Sequence, residues 1–121
     1  MQVTGFNHLT INIRHLETSL DFYHRKLGMT LVHRGKRDAY LEWGQAWMCL
    51  QERPDFQRTA RDHIGFDHVA FSINDDAFDS AVDDLKDRHI FIEKGPIIRG
   101  LGRSVYFRDP DGNLLELHTT I

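Results

Sequence analysis

The feature that most constrains this chain is a repeat. Asn7-His8-Leu9-Thr10-Ile11-Asn12-Ile13 recurs in pattern as Asp67-His68-Val69-Ala70-Phe71-Ser72-Ile73. In each copy a histidine precedes apolar residues that alternate with small or polar ones, the period of a half-buried strand. Each copy then leads into helical spacing. A first helix is predicted over Leu16–Leu27, with Leu16, Leu20, Tyr23 and Leu27 as its apolar stripe, Phe22 beside it and Gly28 as the stop. A second is predicted over Asp75–Arg88, with Phe78, Ala81, Val82 and Leu85 facing inward and Asp75 or Asp76 as the cap.

Strand-like segments follow each helix. In the first half they are Met29–Arg34, Ala39–Trp43 and Ala46–Glu52; in the second, Phe91–Glu93, Ser104–Arg108 and Leu114–Thr120. Asp109-Pro110-Asp111-Gly112-Asn113 is a strong turn signal between the last two, and 34–38 and 95–102 read as loops. The order β-α-β-β-β therefore occurs twice. The expectation is a single α+β domain over 1–121, made of paired βαβββ modules (1–53 and 66–121) joined by a mostly polar segment, 54–65. The modules should build a cupped mixed sheet with the helices outside.

Composition narrows the setting. The chain has 121 residues, 40% hydrophobic and 27% charged, which is the make-up of one soluble globular domain. A net charge of −3 argues against a sequence-independent grip on nucleic acid. The apolar runs are short, so nothing reads as a membrane span. The opening MQVTGFNHLT lacks the basic and apolar regions of a signal peptide. With Cys49 as the single cysteine no intrachain disulfide is possible, and a cytoplasmic setting is expected.

Eight histidines are many for this length. Strand alternation places His8 and Thr10 on the polar face of the first strand and His68 and Ala70 on that of its repeat. Ser104 and Tyr106 share a face opposite Val105 and Phe107. Glu116 lies opposite Leu115 and Leu117, and aligning Trp47-Met48-Cys49-Leu50 with Leu114-Leu115-Glu116-Leu117 makes Cys49 its counterpart. If the modules pack about a pseudo-twofold axis, His8, His68 and Glu116 converge. Two imidazoles and a carboxylate suit a divalent ion, and three ligands leave positions open for water or substrate. His15, His24, His33, His63 and His89 show no such symmetry and read as surface groups. His118 faces the same way as Glu116 and is the candidate for a supporting role. Cys49 reads as a small buried hydrophobe rather than a ligand.

The segments Asn7-His8-Leu9-Thr10, Ser19-Leu20-Asp21-Phe22-Tyr23, Leu27-Gly28 and Tyr106-Phe107-Arg108-Asp109-Pro110-Asp111-Gly112-Asn113-Leu114-Leu115-Glu116 resemble the vicinal-oxygen-chelate superfamily of glyoxalases, bleomycin-resistance proteins and dioxygenases. Within it, Ala39–Leu50, Gly102–Phe107 and Leu115–His118 are most similar to the fosfomycin-resistance thiol transferases. The resemblance implies metal ligands His8, His68 and Glu116, and a homodimer whose subunits share modules around each metal. It implies that Thr10, Tyr40, Trp47, Ser104 and Tyr106 line the phosphonate and oxirane pocket. Those enzymes continue into a tail that supplies an arginine for the phosphonate, whereas this sequence stops at Thr119-Thr120-Ile121; Arg99 and Arg103 are the loop cations that stand in. Gly100-Leu101-Gly102 reproduces part of a potassium-binding loop.

The implied activity is opening of a fosfomycin-like epoxide by a low-molecular-weight thiol, with manganese as the first choice of metal and iron, zinc, nickel or cobalt as others. Other reactions on the same triad form the alternative: a glyoxalase-like lyase, an isomerase or an extradiol dioxygenase. A metal-free drug-binding protein, using an aromatic cleft of Tyr40, Trp43, Trp47 and Tyr106, is the third reading.

Overall fold

A computed structural model describes residues 1–58 and 64–119. His63, Thr120 and 59–63 of the expected joining segment lie outside the described residues. The chain forms two compact units, Met1–Gln57 and Arg58–Ile121. Each repeats the same order of elements around its own four-stranded sheet. The fold is α+β.

In the first unit β1 (Leu9–Ile13) is followed by α1 (Leu16–Leu20), a π-helical segment (Asp21–Lys26), and strands β2 (Thr30–Arg34), β3 (Asp38–Trp43) and β4 (Ala46–Glu52). The sheet order is β1-β4-β3-β2, with β1 parallel to β4 and the other pairs antiparallel. The expected single helix over Leu16–Leu27 thus changes pitch at Asp21. The Leu27 amide bonds to the Phe22 carbonyl, and the wider turn goes with two consecutive buried aromatics, Phe22 and Tyr23, packed edge to face at 5.0 Å. His15 offers no side-chain cap to α1; instead the Leu16 amide donates to Glu52 Oε2 at 2.8 Å, so the end of β4 caps the helix. Leu16, Leu20, Leu41, Met48 and Leu50 close the core between helix and sheet.

The second unit runs β5 (Val69–Ile73), α2 (Asp75–Asp87), β6 (Ile92–Arg99), β7 (Gly102–Arg108) and β8 (Leu114–Thr119), with sheet order β5-β8-β7-β6. The mixed pattern is the same, with β5 parallel to β8. Asn74, not an aspartate, sits at the cap of α2, while Asp75 and Asp76 occupy the first turn, where negative charge meets the positive end of the helix dipole. Phe78, Val82 and Leu85 of α2 are buried, as are Val105, Phe107, Leu115 and Leu117 of the sheet. Each such side chain contributes about 1.5–3 kcal/mol of burial.

Two local features place the working strands. Asp109 Oδ1 accepts the amides of Asp111 and Asn113, and Asn113 Nδ2 donates to Asp109 Oδ2 at 2.8 Å. This closes the turn from β7 into β8, and Arg108 fastens it by donating to the Gly112 carbonyl and to both oxygens of Glu93. The segment expected to be a loop over 95–102 is largely strand: β6 runs through Pro96 to Arg99 and turns at Gly100 and Leu101. Proline has no amide to donate, and the ladder passes it by shifting register between Lys94 and Ile97.

Candidate active site

Register makes the two sheets equivalent at single-residue level. On β4, Cys49 pairs with Thr10 of β1 and Tyr40 of β3. On β8, Glu116 pairs with Ala70 of β5 and Tyr106 of β7. Strand alternation therefore puts Thr10, Tyr40, Trp47 and Cys49 on one face of the first sheet, and Ser104, Tyr106 and Glu116 on one face of the second.

In the first unit that face carries a row of rings. His8 lies just before β1, with its ring centroid 4.5 Å from that of Trp47. Trp47 stands 6.0 Å from Tyr40, which in turn stands 5.3 Å from His33. His8 Nδ1 contacts Asn7 Oδ1 at 2.6 Å. An amide oxygen only accepts, so this places the proton on Nδ1 and leaves the Nε2 lone pair free of that contact. Cys49 is buried.

The second unit repeats this arrangement with more charge. His68 Nδ1 contacts Asp67 Oδ2 at 2.7 Å, so again Nε2 is the outward nitrogen. That Nε2 lies 2.9 Å from Glu116 Oε1. Glu116 is 5% exposed, and its other oxygen accepts from Ser104 Oγ at 2.5 Å. Ser104 Oγ also contacts His118 Nδ1 at 2.8 Å. Tyr106 is 6% exposed and its hydroxyl has no hydrogen-bond partner among the described residues. Burial first, and then the negative charge of Glu116, push the Tyr106 phenol above its ordinary pKa. It is therefore a protonated phenol beside the Glu116 carboxylate.

The geometry suits a cation. Both ring nitrogens of His68 face carboxylate oxygens, so a proton or a metal must lie between Nε2 and Glu116 Oε1. The 2.9 Å gap is short enough for the two atoms to share one cation. The donors are imidazole and carboxylate, a set that takes manganese, iron and zinc alike. Within either unit, no three His, Cys, Asp or Glu side chains among the described residues gather around one point. His8 belongs to the first unit, and the His68–Glu116 pair to the second.

The two loop arginines part company. Arg99 places its guanidinium 5.9 Å from the Tyr106 ring centroid, on the Glu116 side of the sheet. Arg103 does not share that place. It donates to Asp75 and Asp79 of α2 and lies 4.5 Å above the Phe78 ring, so it is a clasp between β7 and the helix. Alternation carries the signal for this, because Arg103 shares its parity with Val105 and Phe107. Sequence reasoning passed over Asn7 and Asp67, although both repeat copies begin on an Asx residue directly before the histidine. It also left out the bond between Ser104 and His118, which follows from their direct pairing across β7 and β8.

Comparison with known proteins identifies the family and the fold. The family model for the Glyoxalase/Bleomycin resistance protein/Dioxygenase superfamily matches residues 5–117. A metallothiol transferase, FosB, from Staphylococcus epidermidis is 36% identical over 98% of this chain and 84% of its own length. A glutathione transferase, FosA, from Serratia marcescens is 36% identical over 94% of this chain and 79% of its own. The crystal structure of a glyoxalase/dioxygenase from Nostoc punctiforme superposes with a TM-score of 0.84 at 25% identity, covering 94% of this chain and 89% of that one.

Proposed function

The chain belongs to the glyoxalase/bleomycin resistance protein/dioxygenase superfamily, and on that premise we propose that it is a metal-dependent thiol transferase that opens a fosfomycin-like epoxide. The relatives named as thiol transferases support the reaction class. The observation that carries the site is His68 Nε2 at 2.9 Å from a buried Glu116 carboxylate oxygen.

In this reading His8, His68 and Glu116 are the metal ligands, with His8 supplied by the first module. Modules 1–53 and 66–121, joined by 54–65, act as one domain in a homodimer. A divalent ion held there, manganese first, supplies Lewis acidity to the oxirane oxygen and a charge for the phosphonate. Thr10, Tyr40 and Tyr106 offer hydroxyl donors to the substrate oxygens. Tyr106 is suited to this because its proton is held above the neutral range and its hydroxyl is unpartnered. Arg99 adds a cation beside it, and Trp47 gives an apolar wall. Potassium at the 100–102 turn is the second cation of the reading.

The chain's part is to bind and orient. The sulfur of a low-molecular-weight thiol forms a bond to an oxirane carbon. The C–O bond breaks with its electron pair on oxygen, and the proton released by the thiol ends on that oxygen. Cys49 is buried and is not the nucleophile. Among the described residues no helix is long and apolar enough to cross a membrane, and a cytoplasmic setting, where such thiols are reduced, is part of the proposal.

The test is metal analysis of the purified protein and its H8A variant, with fosfomycin and glutathione turnover measured on the manganese-loaded form. Stoichiometric metal that is lost in H8A, together with turnover, is the expected result. Metal without turnover points to another reaction of the superfamily. Absence of specific metal in both proteins overturns the triad and leaves a binding protein.

A further inference from the structure

Glu116 has two oxygens and they have different surroundings. Oε1 faces His68 Nε2 at 2.9 Å. Oε2 accepts from Ser104 Oγ at 2.5 Å, and Ser104 is fully buried. A serine hydroxyl has one proton. Once that proton goes to the carboxylate, Ser104 Oγ can only accept from its other neighbour. His118 Nδ1, at 2.8 Å, must therefore carry a hydrogen and donate it. The direction of the whole chain follows: His118 Nδ1–H to Ser104 Oγ, and Ser104 O–H to Glu116 Oε2. His118 Nδ1 is itself 3.5 Å from Oε2, so serine is the intermediary.

We propose that His118, acting through Ser104, is a positioning residue that holds Glu116 as a one-oxygen metal ligand with Oε1 turned to His68. The inference rests on the metal reading of the site given above. It also assigns Ser104 a role other than direct donation to the substrate, because its only proton is already committed.

Three features support it. The pairs Ser104–His118 and Tyr106–Glu116 are direct register partners across β7 and β8, so the backbone holds the chain of bonds in line. The carboxylate is buried, where a free rotation that exposed Oε2 to no donor would leave it unsatisfied. The first sheet lacks the arrangement: the register position of Glu116 is there taken by Cys49, so this support belongs to the carboxylate side alone. Partners of this kind hold a ligand at one angle, and their loss commonly weakens metal binding by about 10-fold to 100-fold.

The experiment uses manganese alone as the probe. Free and bound Mn(II) are measured by electron paramagnetic resonance in the wild type and in H118A, H118N and S104A. Asparagine can place an N–H close to where Nδ1–H stood. Thermal melts with chelator present check folding; His118 is partly exposed, so H118A is expected to fold.

The expected result is a dissociation constant raised about tenfold in H118A and S104A, with a changed bound-Mn(II) spectrum, and recovery of both in H118N. Affinity and spectrum unchanged in H118A overturn the proposal. Equal loss in H118A and H118N also overturns it, because the hydrogen bond is then not what matters. A wild type that binds no Mn(II) overturns it together with the metal reading. If the predicted pattern appears and fosfomycin is not turned over, the positioning role stands and the proposed reaction falls.

Discussion

Cys49 and Glu116 occupy the same position in the two sheets. Each sits on the strand between a parallel and an antiparallel neighbour, and each faces a tyrosine across the antiparallel pair, Tyr40 and Tyr106 respectively. One module thus keeps a carboxylate where the other has a thiol. One carboxylate oxygen accepts from Ser104 and the other faces His68 Nε2 at 2.9 Å. The thiol is buried among side chains.

In the proposed site Cys49 is a buried hydrophobe and Glu116 a ligand, and the two respond differently to replacement. C49A is expected to bind the same amount of metal as the wild type and to lose about 1 kcal/mol of stability from the small void left behind. E116Q is expected to lose stoichiometric metal. Elemental analysis and urea unfolding check both, and loss of metal in C49A would make the thiol a ligand after all.

Tyr106 makes a second expectation. With its hydroxyl unpaired and its proton held by burial and by Glu116, Y106F should retain metal and fold normally. Its kcat/KM for fosfomycin should drop about 10-fold to 100-fold, the size of one hydrogen bond to a charged group. A pH effect goes with this. The folded state keeps the phenol protonated to higher pH than the unfolded chain does, so folding stability is full below the unfolded value of about 10 and falls as pH rises beyond it. Urea midpoints measured between pH 9 and 11 should slope less steeply in Y106F. Equal slopes would remove Tyr106 as their source.

The two arginines should separate cleanly. R99A is expected to raise the KM for fosfomycin with little change in melting temperature. R103A is expected to lower the melting temperature by a few degrees, since it frees Asp75 and Asp79 and uncovers Phe78, while leaving KM near the wild-type value. Steady-state kinetics beside thermal melts decide it, and a raised KM in R103A would place that side chain at the substrate.

Phe78 is the anchor of α2 on the second sheet and is fully buried. F78A should cost about 3–5 kcal/mol. The loss is read from the urea midpoint, with metal absent so that binding does not mask it. A cost below about 1 kcal/mol would mean that α2 does not carry this core.

Much of this protein is legible in its sequence because β-strands alternate. Leu9, Ile11 and Ile13 against His8 and Thr10, and Leu115 and Leu117 against Glu116 and His118, follow from a period of two without any coordinates. The repeat adds the equivalence of His8 with His68 and of Cys49 with Glu116. The parity of Arg103 with Val105 and Phe107 carries its turn toward the helix, but reading it as a phosphonate cation passes that signal over. Other features depend on where backbones meet. The change of pitch at Asp21, the passage of β6 past Pro96, the cap on Leu16 from Glu52 and the bond from His118 through Ser104 to Glu116 join residues whose separation along the chain carries no period. Local alternation decides which way a side chain points, and only the register of neighbouring strands decides what it meets there.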